Sequence, residues 1–164
     1  MNDDTPRHRI LTTRLEFLDA LREGFAEIAA AGCREVWIAD TDFADWPIGE
    51  RAVVDSLTAW AMAHRKLTML AQTYDAVLRR HARFVEWRRQ WSHVIECRQL
   101  EELEPGEMPT LLLAPGVVTV RLFDREHVRG SVSHDPADAI RARELVDAIS
   151  QRSSEAFPAT TLGL

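Results

Sequence analysis

Glu35-Val36-Trp37-Ile38-Ala39, followed by Asp40-Thr41-Asp42-Phe43-Ala44-Asp45-Trp46-Pro47, is the stretch that decides the fold. Five residues rich in apolar and aromatic side chains, too few for a helix, read as a buried strand. The aspartate-rich segment after them reads as a loop leading into a helix. Upstream, Thr13-Arg14-Leu15-Glu16 has the capping-box pattern, with Thr at the N-cap and Glu three residues on. Leu18, Leu21, Phe25 and Ile28 then recur at helical spacing, and Gly32 suits the position just past a helix end. Downstream, Asp45 is expected to cap the second helix, with Pro47 in its first turn and Val53, Leu57, Trp60 and Ala61 facing the core. Lys66 to Ala71 is the next strand. Alternating strands and helices imply parallel pairing through right-handed crossovers.

The reading extends in both directions. Arg9 to Leu11 makes a short first strand. Tyr74 to Trp91 is helical with a break near Arg80, and Val77, Phe84, Trp87 and Trp91 share one face. Arg80 and Arg88 lie four residues either side of Phe84, which puts them at that apolar face, where arginines are expected to snorkel outward. His93 to Arg98 is a strand. Thr110 to Ala114 and Val117 to Phe123 are two more, joined by a turn at Pro115-Gly116. Val128 to Ser133 adds another. Asp135-Pro136 then starts a last helix that runs to about Gln151 and buries Ala142, Leu145, Val146 and Ile149. The order predicts an α/β domain over residues 7–152, a three-layer α/β/α sandwich around a mixed β-sheet, with tails at 1–6 and 153–164.

Composition agrees with one globular domain: 164 residues, 46% hydrophobic and 28% charged. The net charge of −6 argues against a generic nucleic-acid binder. The charge is uneven, because residues 64–98 hold eight Lys/Arg against three acids while Glu101, Glu102, Glu104 and Glu107 follow directly. Cys33 and Cys97 have no metal-ligand or redox spacing and read as buried apolar residues. There is no apolar run of the ~20 residues that span a membrane and no secretory leader pattern, so the expected compartment is the cytoplasm.

Arg129-Gly130-Ser131-Val132-Ser133, with the apolar hairpin from Thr110 to Phe123 before it, carries a family resemblance. Together with the element order, it resembles one half of the phospholipase D-like fold. In that family a His-x-Lys-x4-Asp motif lies on a late strand, followed by a hairpin and a Gly-Ser pair. The motif is absent here, and the strand expected to carry it reads Pro109-Thr110-Leu111-Leu112-Leu113-Ala114. The family's histidine is a nucleophile on a phosphodiester, and an apolar strand offers no substitute. The resemblance therefore implies a non-catalytic member. Because such halves commonly pair, it also implies a homodimer.

Two residue groups are candidate sites. Asp40, Asp42 and Asp45 lie between a strand and a helix, where α/β sheets bind ligands and where clustered carboxylates suit a hard cation such as Mg²⁺. The alternative assigns them to strand-end, turn and helix-cap duties. Arg79, Arg80, Arg83, Arg88 and Arg89, interleaved with His81, Trp87 and Trp91, form the second group, a pattern that binds anions or stacks bases. A wet face paired with nearby glutamates is the alternative. Asp124, His127 and His134 surround the late hairpin and are weighed as acid–base partners. No glycine-rich phosphate loop or Gly-x-Ser-x-Gly elbow occurs, and no pattern names a cofactor. The expected function is a non-enzymatic binding or scaffold module that self-associates, with the protein partner and ligand open. The alternatives are a metal-dependent enzyme on a phosphate ester, using the three aspartates, and anion or nucleic-acid binding through residues 79–89.

Overall fold

The computed structural model describes residues 8–62 and 64–157. The elements are β1 (His8–Leu11), α1 (Arg14–Ala31), β2 (Glu35–Asp40), α2 (Arg51–Trp60), β3 (Lys66–Ala71), α3 (Asp75–Arg80), α4 (Ala82–Gln90), β4 (Ile95–Gln99), β5 (Thr110–Ala114), β6 (Val118–Asp124), β7 (Arg129–Ser133), α5 (Pro136–Arg152) and β8 (Ser154–Glu155). All eight strands join one mixed sheet in the order β1-β7-β6-β5-β2-β3-β4-β8.

The pleat of β2 sorts the core into two halves. Val36 and Ile38 join the cluster built with Leu21, Phe25 and Ile28 of α1 and Val53 and Leu57 of α2. Trp37 and Ala39 point the other way, into a smaller cluster with Ala142, Val146 and Ile149 of α5. Among the described residues four helices thus cover one face and one helix part of the other, which is the expected three-layer arrangement.

Local signals explain the helix ends. Thr13 accepts the Glu16 amide at 3.1 Å, and Gly32 adopts φ 67° while its amide reaches the Ile28 carbonyl. Asp135 accepts the Ala137 amide at 2.9 Å ahead of Pro136. The expected cap at Asp45 is not formed. Pro47–Gly49 makes a separate 3-10 turn, and α2 starts only after Glu50. Glu50 instead takes both ends of the Arg22 guanidinium at 2.8 Å, which ties α1 to the start of α2.

The helix expected over 74–91 breaks at His81, whose backbone leaves the helical region at φ −122°, ψ 56°. Its buried ring turns inward, with Nε2 donating to the Phe43 carbonyl at 2.8 Å.

Strand pairing corrects two expectations. β2, β3 and β4 are parallel as the alternation implied, but β1 lies at the far edge, antiparallel to β7, with Ile10 opposite Ser131. The reason is that the β5-β6-β7 meander occupies the open edge of β2, and α1 must carry the chain back beneath it. Eighteen helical residues span about 27 Å, enough to cross those strands.

The tail from 153 is also not all outside the fold. β8 pairs with β4, Ala156 donates to the Cys97 carbonyl at 3.0 Å, and Arg98 holds Ser153 through its hydroxyl at 2.7 Å and its carbonyl at 2.8 Å. The tails called at 1–6 and 158–164 lie outside the described residues. Among the described residues no helix is long and apolar enough to cross a membrane, and both cysteines are free thiols.

Candidate functional sites

The aspartate loop is a structural clasp. Asp40 is buried at the end of β2. Its Oδ2 accepts the amides of Phe43 at 2.8 Å and Asp42 at 3.4 Å, and its Oδ1 accepts the Thr110 hydroxyl at 2.6 Å. Arg125 approaches to 3.5 Å. These bonds hold Phe43 at φ 58°, a left-handed conformation unfavourable for a phenylalanine. Asp42 accepts the Ala44 amide at 3.0 Å in an Asx turn. Asp45 faces solvent and pairs with Arg14 at 2.8 Å. The three carboxylates expected to surround a cation therefore splay apart. Among the described residues no three His, Cys, Asp or Glu side chains are grouped to hold a metal ion.

The arginine segment divides in two. Arg79, Arg80, Arg83 and Arg89 are exposed. Arg80 reaches the Ala44 carbonyl at 3.4 Å and Arg83 the Gly49 carbonyl at 3.3 Å. Trp87 is only 2% exposed and stacks on Phe84 at 5.8 Å, so it cannot receive a base as the sequence pattern suggested.

Arg88 is 6% exposed and does not snorkel. Its Nε donates to Cys97 Sγ at 3.1 Å, and its guanidinium lies 4.8 Å above the Phe157 ring. Burial pushes the Cys97 thiol up to about 11 and raises the Tyr74 hydroxyl well above its ordinary value, so both neighbours stay neutral at pH 7. The signal was present in the sequence: Arg88 follows Phe84 by one helical turn. Arg80 escapes because the break at His81 interrupts the helix between it and Phe84.

The strand that pairs in a hairpin with Gly130-Ser131 is β6, not the β5 against which the resemblance is read. Against His-x-Lys-x4-Asp, the chain ending in β6 offers Val117, Thr119 and Asp124. Only the aspartate matches. Asp124 is held by His127, whose amide reaches Oδ1 at 3.0 Å and whose Nδ1 lies 2.9 Å from Oδ2, and these bonds keep the carboxyl below its usual range. His134 does not join them, pairing with Glu27 at 3.1 Å. Ser131 is buried within the sheet. At Gly130 the strands approach closely: a β-carbon there would lie 2.2 Å from the Arg121 carbonyl oxygen.

Two solved structures share this architecture. TrmBL2, an archaeal chromatin protein, superposes with a TM-score of 0.65 at 12% identity over 93% of this chain and 54% of its own. This chain thus spans about half of TrmBL2. NucT from Helicobacter pylori superposes with a TM-score of 0.61 at 10% identity, over 91% of this chain and 98% of its own. At such identities the likeness is one of fold. No curated protein matches the sequence. A family model described as a domain of unknown function, DUF7931, matches residues 18–162, from within α1 through β2 to β8, and the chain belongs to that family.

Proposed function

We propose that this chain is a non-catalytic binding module of phospholipase D-like architecture that acts as a pair of copies. The observation that carries the reading is the sequence of the turn into β6 and of β6 itself. Val117 and Thr119 take the places of the nucleophilic histidine and the lysine, and neither can attack phosphorus or neutralise a phosphate. The surviving Asp124 is occupied by His127. Self-association is supported by the sheet face that the described residues cover only in part. Ile10 on the edge strand β1 and Phe123 on β6 point to the α5 side and are 56% and 62% exposed. An edge strand with apolar neighbours favours pairing with a second copy.

The test joins turnover with mass. The purified chain is expected to leave bis(p-nitrophenyl) phosphate intact, to sediment as a dimer, and to become a monomer on Phe123→Asp with its melting temperature retained. Turnover abolished by His127→Ala, or a monomeric wild type at every concentration, would sink the reading.

A second reading has its own support. Arg79, Arg80, Arg83 and Arg89 present four exposed cations along α3 and α4, and TrmBL2 is a chromatin protein whose structure shows a novel mode of DNA binding. If this surface engages a phosphate backbone, single-stranded DNA binds at low salt. A fourfold rise in salt then weakens binding, with a log–log slope reduced by roughly 0.7 for each arginine removed. Fluorescence anisotropy with Arg79→Gln and Arg83→Gln measures this, and a salt-independent signal would eliminate it.

A further inference from the structure

A guanidinium remains charged at every physiological pH, so a buried one needs an anion beside it. Arg88 is more than nine-tenths buried, and among the described residues its contacts are a neutral thiol and an aromatic ring. Its Nη1 is fully enclosed and has no hydrogen-bond partner among the described residues. The nearby Glu96 is already engaged by Lys66 at 3.0 Å and Arg98 at 2.8 Å.

Arg88 lines a cavity of about 800 Å³ between the start of β3, the turn after α4 and β4. Around it stand Arg65, His64, Ser92 and His93. Arg65 donates to the Trp60 carbonyl and has no carboxylate partner among the described residues. Ser92 and His93 are exposed and add a hydroxyl and an imidazole. Glu155, also exposed, is the one acid of the lining not engaged in an ion pair among the described residues.

We propose that this cavity is an anion site for inorganic phosphate or a phosphomonoester. Arg88 supplies a buried positive charge beside the cavity, and Arg65, Ser92 and His93 supply the donors at its mouth. A tetrahedral oxyanion fits because it accepts on several sides at once, and charge-assisted bonds to arginine are the strong ones. The site lies away from β6 and from the Phe123 surface, so it stands or falls independently of the absence of catalysis and of self-association.

The experiment is thermal unfolding of the full chain with sodium phosphate replacing chloride at constant ionic strength. At 100 times its dissociation constant, phosphate is expected to raise the melting temperature by about 5–10 °C. Arg88→Met keeps the apolar stem and is expected to abolish the rise while melting no lower than wild type in chloride, because it removes an uncompensated charge. Should that variant not fold, Arg65→Gln and His93→Ala at the mouth are each expected to weaken phosphate several-fold with an unchanged melting temperature in chloride. A dinucleotide with a 5′-phosphate that competes where its 5′-hydroxyl counterpart does not assigns the site to terminal phosphates. A phosphate response with no such competition assigns it to small phosphate compounds. No rise in the wild type, or an undiminished rise in Arg88→Met, overturns the proposal.

Discussion

Gly130→Ala is expected to destabilise the protein by about 3 kcal/mol or more and to lower its melting temperature by roughly 6–12 °C. A β-carbon at this position would sit 2.2 Å from the Arg121 carbonyl oxygen and 2.8 Å from Leu122 Cδ2. The first of these is backbone in the middle of a sheet and cannot swing aside. The register is already irregular there, since a bulge lies between Leu122 and Asp124 opposite Gly130 and Arg129. Adding a methyl group must push β7 away from β6, which loosens β1 as well because among the described residues it pairs only with β7. Ser131→Ala, which leaves the backbone untouched, is expected to shift melting by no more than about 2–4 °C. Differential scanning calorimetry on the two variants separates a glycine required by close strand approach from one that serves the Gly-Ser motif. Wild-type stability in Gly130→Ala would mean the strands do not approach this closely.

The second large effect is expected at Asp40. Its carboxylate satisfies the Phe43 amide and the Thr110 hydroxyl inside the protein and meets Arg125 at the rim. Asp40→Ala removes the acceptor of both buried donors, at about 1–3 kcal/mol each. It also releases the left-handed Phe43, whose ring packs on Trp46 at 4.8 Å. A total loss of about 3–5 kcal/mol by urea denaturation is the expected result. Thr110→Val in the Asp40→Ala background should cost less than in the wild type, because the orphaned hydroxyl goes with it, and a coupling of about 1 kcal/mol identifies the pair. Strictly additive losses would show that Asp40 acts on the loop alone.

The destiny of Asp40, Asp42 and Asp45 shows how far the sequence could be read. Three carboxylates between a strand and a helix suit a cation equally well as they suit backbone amides, and only the direction of each side chain separates the two uses. Asp40 turns inward to Thr110, seventy residues away in the chain, so no local pattern announces the bond. Arg88 is the opposite case. Its spacing from Phe84 already placed it at the apolar face, but the general tendency of arginine to reach water pointed outward. The crowding of Tyr74, Phe157 and Cys97 decided otherwise.

By itself the sequence determined the elements and their caps. Periodicity, Thr13, Gly32, Asp135 and the apolar runs of β2, β3 and β5 act within a few residues, where backbone hydrogen bonding and side-chain pattern settle the local conformation. It also determined that the sheet would be mixed and covered on both faces. Only the tertiary structure decided which strand neighbours which: β1 joined β7, and β8 joined β4. The physical reason is that a strand's alternation specifies which face it buries but not whose amides it meets, and that choice is made by the whole set of faces that must be covered at once.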